Sequence, residues 1–403
     1  IDDKTYTESE IRALIYDTNA LTRKKAYEQM YSVVESNKHV LFELYKQTVL
    51  SWKATGQDIR GHPSALHTRT FSQDIDESLI HTMLSVCQEK KDIFHAYFKK
   101  KAELLGTPTL SRFDMYAPLF ADKQEINYQQ ACEMVTQSYT QFSPEFGKIV
   151  KDIIQAHHID VYPQAYKRGG AFCYYTPQNV LPYILLNYTN TIRDVTTLAH
   201  ELGHAIHDVL CNKQSILVAH PPISLAETAS IFGEELMFDR LLSDTPHTQA
   251  LLASYIDDAY ASIIRQAYFV LFEIKAHQAI AQGATLTQVS DIYYALLQEQ
   301  YGEHVHIPKQ FAYEFLMIPH IYHTPFYCFG YSFGNLLTLA LYEQYKEQPD
   351  GFVQKYTTLL SSGGSASPQT ITQQAGFDIT QRAFWQKAFV LLEQRINMFL
   401  QSQ

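Results

Sequence analysis

The segment TTLAHELGHAIHDV, at residues 196–209, constrains this chain more than any other feature, because it places two histidines four residues apart in an unbroken helical pattern. At about 100° per residue, His200 and His204 lie about 40° apart on one helical face, so both imidazoles can reach one tetrahedral Zn²⁺. Glu201 lies beside them, where it can take a proton from an activated water. Thr196 or Thr197 is expected to cap the helix. The segment therefore predicts a helix that carries two metal ligands and a general base.

His207 is a third histidine on the same face, but it lies one turn further along the helix, too far for the same ion. In the metzincin type of zinc helix a third histidine stands six residues after the second, and Leu210 occupies that position here. We therefore expect His207 to pack against the ligands or orient them rather than to bind the metal.

The third ligand has to come from elsewhere, and the next predicted helix, SLAETASIFGEELMFDRLL at residues 224–242, offers three glutamates. Charged groups on this apolar helix are costly unless something binds them. Glu227 and Glu234 are seven residues apart and share a face, so one can bind the metal while the other hydrogen-bonds a ligating histidine. Glu235 falls off that face and is expected to be solvated.

Composition excludes several classes of protein. With 46% hydrophobic and 18% charged residues among 403, the chain is globular, and its net charge of −10 argues against a nucleic-acid binder. The short basic run FKKK at residues 98–101 is interpreted as a solvated helix face. Five cysteines without CxxC spacing favour a reducing cytoplasm over a disulfide framework or a thiolate zinc site.

Membrane insertion is not expected. The longest uncharged stretch, residues 169–192, contains prolines and asparagines that a spanning helix would not tolerate. The start, IDDKTYTESE, lacks the basic and apolar regions of a signal peptide, which again predicts a cytoplasmic protein.

Hydrophobic periodicity predicts a mainly α protein. Apolar residues recur at intervals of three and four through residues 8–105, and the same pattern predicts helices at 127–156, 224–242, 250–282, 286–301 and 380–400. The exception is AFCYYTPQNVLPYILLNY at residues 171–188, where two short aromatic and branched runs flank a turn, as in a hairpin. GGSASP at residues 363–368 is the clearest flexible loop.

Five blocks, in order, resemble the oligoendopeptidase F branch of the thimet-oligopeptidase family of zinc peptidases. They are SRFDMYAPL (111–119), KRGGAFCYY (167–175) with YILLNYTNTIRDVTTLAHELGHAIH (183–207), AETASIFGE (226–234), PHIYHTPFYCFGYSFG (319–334), and GGSASP (363–368) followed by AGFDIT (375–380). The resemblance implies a two-lobed helical shell around a deep channel, with a small sheet whose edge strand binds extended peptide. We expect one domain, with a first helical lobe at about 1–160 and a lobe carrying the zinc site at about 161–403. The hairpin, with Gly170 and Ala171 at its start, is the candidate peptide-binding strand.

The resemblance also implies roles for individual residues. The first glutamate of AETASIFGE ligates zinc in this family, which favours Glu227 and leaves Glu234, like His207, a supporting position. In PHIYHTPFYCFGYSFG (319–334), the His/Tyr segment, the resemblance implies that Tyr331 donates a hydrogen bond to the oxyanion formed on the scissile carbonyl. It also implies that His320 contacts the substrate. Tyr327 is expected to assist them, and His323 is a further candidate substrate contact.

The function implied is a cytoplasmic endopeptidase that uses one Zn²⁺ per chain to hydrolyse short, unfolded peptides, with neither nucleic acid nor membrane as a partner. One alternative is a carboxypeptidase or dipeptidase on a related helical shell, in which Arg193 or Lys309 would bind the terminal carboxylate. A second is a catalytically inactive, peptide-binding relative, and a third is a non-enzymatic helical scaffold, which would leave Glu201 without a role.

Overall fold

The computed structural model describes residues 5–120, 125–244 and 247–402, which are mainly helical. The first helices are α1 (Glu8–Ala13), α2 (Ala20–Lys53), α3 (Ala65–Ser72), α4 (Glu77–Lys90), α5 (Ile93–Leu104), α6 (Tyr128–Phe142) and α7 (Pro144–Gln155). They are followed by α8 (Ile192–Cys211), α9 (Ile223–Ala226), α10 (Thr228–Asp244), α11 (Thr248–Ala259), α12 (Arg265–Ala281), α13 (Leu286–Tyr301), α14 (Pro319–His323), α15 (Phe329–Glu347), α16 (Phe352–Ser361), α17 (Pro368–Gln374) and α18 (Arg382–Gln401). The strands are β1 (Leu110–Ser111), β2 (Ile159–Asp160), β3 (Phe172–Tyr174), β4 (Tyr183–Leu185) and β5 (Val305–His306).

The predicted mainly α architecture is confirmed, and local signals subdivide the predicted helices. Residues 286–301 form α13, which begins with a capping box between Thr285 and Gln288. The stretch 127–156 divides in two because the Ser143 side chain accepts the backbone N–H of Phe146 and Pro144 takes the first position of α7. None of the described helices combines the length and the apolar character needed to cross a membrane.

The predicted hairpin is also confirmed, as part of a three-stranded sheet in the order β2-β4-β3. Strand β3 pairs antiparallel with β4, with Cys173 opposite Ile184, and β2 pairs parallel with β4. Among the described residues β3 has a partner on one side only, so it is an edge strand. The sheet packs against α8 through β3 and β4, and Ile184 of β4 is buried.

One hydrophobic core runs through the described helices. Side chains from α2, α4 and α5 join it together with side chains from α8, α10, α12, α15 and α18. The early helices α4 and α5 pack on the last helix, α18, and α6 and α7 pack on α8. The division into lobes near residue 160 stays a prediction.

The expectation of a solvated basic run at residues 98–101 is wrong for its two ends, whereas Lys99 is exposed and Lys100 partly exposed. Phe98 and Lys101 are one turn apart on the inner face of α5, and both are buried. The ammonium group of Lys101 lies 2.6 Å from Asp257 Oδ2 and donates to the carbonyl oxygen of Met115 at 2.8 Å. One lysine of this basic run therefore forms a buried ion pair. Its position one turn after Phe98, on the apolar face of the helix, could have indicated this.

The Gly-Ser loop at residues 363–368 is fastened to the segment that follows α8. The backbone N–H of Gly364 donates to the carbonyl oxygen of Val218 at 2.8 Å. A Cβ atom on Gly363, whose φ is 53°, would lie 3.1 Å from the carbonyl carbon of Ala219. The glycines therefore serve a close backbone contact rather than flexibility alone.

Candidate active site

The helix that carries the two histidines begins earlier than predicted. Thr191, not Thr196 or Thr197, caps α8: its side chain accepts the Asp194 N–H at 3.2 Å, and Asp194 Oδ2 accepts the Thr191 N–H at 2.9 Å. Thr196 and Thr197 instead donate their hydroxyls to the carbonyl oxygen of Arg193. The Thr-x-x-Asp pattern at 191–194 is the signal that could have placed this start.

Helices α8 and α10 are in backbone contact because each lacks a side chain at the crossing. A Cβ atom on Gly203 would lie 2.7 Å from Ser230 Cα, and one on Gly233 would lie 2.8 Å from the carbonyl oxygen of Ala199. This close approach brings the start of α10 within reach of the histidines on α8. Glycine at these positions is therefore required by space.

We expect Gly203→Ala to lower the free energy of unfolding by about 1–3 kcal/mol, because its methyl group would press on the backbone of α10. Thermal or denaturant unfolding measures the change. Gly330→Ala is the matched control, since a Cβ atom there would meet nothing within 4 Å. Equal stabilities for the two variants would contradict the tight crossing.

Two histidines and one glutamate converge at this crossing. His200 Nε2 and His204 Nε2 lie 3.2 Å apart, and Glu227 Oε2 lies 3.4 Å from the first and 3.3 Å from the second. All three ligand atoms are within 4.8 Å of one another. Two imidazole nitrogens and a carboxylate oxygen are a donor set that Zn²⁺ accepts, with positions left for water and substrate. These three residues, the metal trio, therefore fit a catalytic metal ion.

The two candidate third ligands take different positions. Glu227 leaves the helical path between α9 and α10, and its Oε2 also accepts the hydroxyl of Ser230 at 2.7 Å. Glu234 accepts a hydrogen bond from His200 Nδ1, the ring nitrogen that points away from the converging atoms. A proton held on Nδ1 leaves the Nε2 lone pair free for a metal.

Burial and nearby opposite charges shift the pKa values of the histidine and glutamate side chains at this site. Burial disfavours the charged form of His200, but the carboxylates of Glu234, Glu227 and Glu201 outweigh it and raise its pKa to about 9. Burial acts against ionised Glu227 too, yet contacts with His204 and His200 lower its pKa to about 2. The carboxylates thus make the site a strong attractor of positive charge.

Glu201 lies beside this trio and is only 5% exposed. Burial raises its pKa, although His200 and His204 pull it down. Its Oε2 has no hydrogen-bond partner among the described residues. Burial raises the pKa of the Cys173 thiol, and the carboxylate of Glu201 adds to that rise. Strand β3, which contains Cys173, packs on α8, the helix that carries Glu201. The helix that carries the trio thus also carries a buried carboxylate, one oxygen of which has no hydrogen-bond partner among the described residues.

Three residues of the predicted His/Tyr segment form a cluster. His320 Nε2 lies 3.3 Å from the hydroxyl of Tyr331, and the Tyr327 ring stacks on the His320 ring with centroids 5.7 Å apart. His323, at the end of α14, is exposed and is not part of these contacts. Burial raises the pKa of Tyr331 to about 12, and Tyr327 adds to the effect. The cluster presents a neutral phenol donor.

The helix α15 places this cluster near the trio. A Cβ atom on Gly334, three residues after Tyr331, would lie 3.4 Å from Glu227 Cβ. Residues three apart share a helical face, so Tyr331 lies on the side of α15 that meets Glu227. Tyr331 as a whole is 39% exposed.

Other predicted site residues are placed around the hairpin and behind the trio. Gly170 and Ala171 lead into β3, and the carbonyl oxygen of Gly170 accepts Asn187 Nδ2 at 2.8 Å. His207 is buried, and burial lowers its pKa to about 3, so it is neutral. The carbonyl group of Ala226 opposes that shift, which puts His207 next to the residue preceding Glu227.

The expectation that Glu235 is solvated is wrong. It is 3% exposed, its Oε2 lies 2.6 Å from Arg395 Nη1, and its Oε1 accepts the hydroxyl of Tyr255 at 3.0 Å. A partner from α18, 160 residues away, makes burial possible, and no local pattern reveals such a partner.

Sequence reasoning missed Asp208. This buried residue of α8 accepts the backbone N–H and the hydroxyl of Thr176 at 3.1 and 3.3 Å through Oδ2. It ties the hairpin to the helix that carries the histidines. An acidic residue in the mainly apolar last turns of this helix, one turn beyond His204, is the signal that could have identified it.

Known proteins resemble this chain over nearly its whole length. It is 28% identical over 397 residues to an oligoendopeptidase F homolog of Lactococcus lactis subsp. lactis, covering 97% of this chain and 66% of that protein. The crystal structure of a putative peptidase from Chlamydophila abortus matches with a TM-score of 0.91 and 27% identity over 98% of this chain and 67% of the other. That of oligoendopeptidase-F from Enterococcus faecium, at 23% identity and a TM-score of 0.77, covers 98% and 66% and supports the fold alone.

The chain thus spans slightly less than two thirds of the length of that Lactococcus relative. The family description that matches it, peptidase family M3, extends over residues 13–391 and includes the helix crossing and the His/Tyr cluster. Since the match takes in nearly all of the sequence, the chain belongs to peptidase family M3.

Proposed function

We propose that this chain is a zinc-dependent endopeptidase that hydrolyses internal bonds of short, unfolded peptides in the cytoplasm. The observation that carries the proposal is the convergence of His200, His204 and Glu227 with the buried carboxylate of Glu201 beside them. The names of relatives support it: several similar proteins are called oligoendopeptidase F. We propose the same endopeptidase activity for this chain.

His200, His204 and Glu227 would hold one zinc ion per chain. Bound zinc supplies Lewis acidity and lowers the pKa of a water toward about 7. The Glu201 carboxylate takes a proton from the attacking water and later delivers it to the nitrogen of the leaving amine. Its burial suits this role, because a raised pKa makes the carboxylate a better base.

Other residues orient these groups and receive the developing charge. Glu234 holds His200 in the tautomer that presents Nε2 to the metal, and the neutral His207 packs behind Glu227. The hydroxyl of Tyr331 donates to the oxygen of the scissile carbonyl as negative charge grows there. His320 and Tyr327 contact the substrate and fix the Tyr331 ring.

The substrate binds as an added strand along the free edge of β3. Backbone groups of β3, together with those of Gly170 and Ala171 at its entrance, pair with an extended peptide. Strand β3 packs on α8, the helix that carries Glu201, so a peptide paired to β3 would run along that helix. His323 is a further contact, at the exposed end of α14.

Digestion of a mixed peptide library, with products identified by mass spectrometry, tests the proposal. We expect internal cuts in peptides of various lengths, and the same cuts when the C-terminal carboxylate is replaced by an amide. Arg193 is exposed two turns before His200 on the same face of α8, where it could bind a terminal carboxylate. Cleavage confined to peptides with a free C-terminus would support the carboxypeptidase alternative, and binding without products would support the inactive one.

We expect Glu234→Ala to weaken zinc binding by about 10–100-fold, as loss of an orienting partner does. Glu227→Ala is expected to weaken it more, because a direct ligand is lost. Zinc titration of both variants, with the wild type as reference, measures the order. The reverse order would move the metal ligand to Glu234.

A further inference from the structure

The turn between α14 and α15 has an unusual backbone conformation. Phe326, with a φ of 62°, lies in the left-handed region, which bulky side chains rarely occupy. Its buried ring contacts the imidazole of His277, with centroids 4.7 Å apart. The next residue, Tyr327, stacks on His320 and meets the Tyr331 ring at 5.4 Å. This turn therefore determines where the His/Tyr cluster lies.

Two ionisable side chains from distant parts of the chain hold the backbone of this turn. Glu273 of α12 accepts the N–H of Phe326 at Oε1, at a distance of 2.8 Å. Arg69 of α3 donates from Nε to the carbonyl oxygen of Pro325 at 2.9 Å. Both bonds hold the same peptide group, the one that joins Pro325 to the left-handed Phe326, because one partner binds its N–H and the other its carbonyl oxygen.

Glu273 is costly to bury, since it is 1% exposed and its Oε2 has no hydrogen-bond partner among the described residues. Burial raises its pKa to about 8, against the opposing effects of the Phe326 N–H and Arg69. It is far from the metal trio in sequence, and the hydrolytic steps proposed above do not use it. A buried acid that accepts a hydrogen bond from the strained turn points to a role in that turn.

We propose that Glu273 and Arg69 are positioning residues that lock the turn at residues 325–326 and thereby hold Tyr327 and Tyr331 in place for catalysis. The proposal rests on the proposed function, because it concerns the His/Tyr cluster of the same site. Misplacement of a catalytic group by about 1 Å can cost 10²-fold in rate, so a small change in this turn would be felt at Tyr331.

Steady-state kinetics of Glu273→Leu, Glu273→Gln and Arg69→Met on one peptide test this. We expect Glu273→Leu to lower kcat about 10–100-fold with a much smaller change in KM and unchanged zinc content, and Arg69→Met to change kcat in the same direction. Glu273→Gln should restore kcat, because the amide oxygen can still accept the Phe326 N–H. Hydrogen exchange at residues 326–331, which needs no turnover, should rise in Glu273→Leu and return to the wild-type rate in Glu273→Gln.

Glu343→Leu is the matched control, since Glu343 is also buried, also accepts one hydrogen bond, from Gln394 at 3.1 Å, and also has an unpartnered Oε2 among the described residues. It lies far along α15 from Tyr331 and should keep wild-type kcat. Wild-type kcat and exchange in Glu273→Leu, or an equal loss in the control, would overturn the proposal. If Glu273→Leu does not fold, Arg69→Met decides: a wild-type kcat together with wild-type hydrogen exchange at residues 326–331 in that variant would overturn the proposal. A wild type without peptidase activity would instead refute the proposed function, and the exchange data would still decide this inference.

Discussion

Glu201→Gln is expected to retain zinc and lose about 10²–10⁴-fold in kcat. The amide has nearly the shape of the carboxylate but cannot take a proton from the attacking water. The ligands His200, His204 and Glu227 are untouched, so metal affinity should change little. Metal analysis and kcat for a peptide, measured on the same preparation, separate the two effects.

The control for this substitution is Glu343→Gln, the same change at a buried glutamate outside the site. It should leave turnover at the wild-type level. Near-normal turnover in Glu201→Gln with one zinc per chain would remove Glu201 from the mechanism. Loss of zinc together with activity would mean that Glu201 supports the ligands rather than the chemistry.

Tyr331→Phe is expected to lower kcat by 10²–10³-fold, corresponding to about 2.7–4 kcal/mol of lost transition-state stabilisation, with a much smaller change in KM. A phenol that donates to a developing oxyanion acts mainly in the transition state. Phenylalanine keeps the ring and its packing on Tyr327, so a residue that serves only packing would show a small effect. Because the pKa of Tyr331 is raised to about 12, the hydroxyl stays protonated at neutral pH and the loss should not vary between about pH 6 and 9.

Tyr327→Phe and His320→Ala belong in the same experiment, because both residues contact Tyr331. They should reduce kcat less than Tyr331→Phe does. A large loss in Tyr327→Phe with none in Tyr331→Phe would move the donor role to Tyr327. If none of the three variants lowers kcat even tenfold, the cluster is a packing arrangement.

Local sequence patterns predicted the parts of the site that lie within single elements. The four-residue spacing of His200 and His204 places both on one face of α8. Glu227 and Glu234 are predicted on one helix, but Glu227 lies in the break between α9 and α10. Spacing alone could not decide which glutamate faces the histidines. That depends on the break in the helix at Glu227 and on the glycine crossing of α8 and α10, which are tertiary features.

The failures have a common physical origin. Lys101 and Glu235 were expected in solvent because an isolated charge is costly to bury, yet each has a partner far away in sequence, Asp257 and Arg395. The contact of Glu273 with the turn at Phe326 is equally invisible in a local pattern. Periodicity reports which face of an element is apolar, and it carries no information about a single long-range ion pair.

The bond between Asp208 and Thr176 has a consequence for how this protein would select its substrates. Since it ties the hairpin to α8, the edge strand and Glu201 belong to one unit, and under the proposed function a peptide paired to β3 would meet the proposed base at a fixed offset along its own backbone. Side chains do not set that offset; peptide N–H and C=O groups do. A proline offers no N–H for pairing, so its position in a peptide would determine which bonds escape hydrolysis. Selection would then depend on where the peptide substrate has a proline and so lacks a backbone N–H. Peptides of unrelated composition but with prolines at the same positions could then be cut at the same bonds.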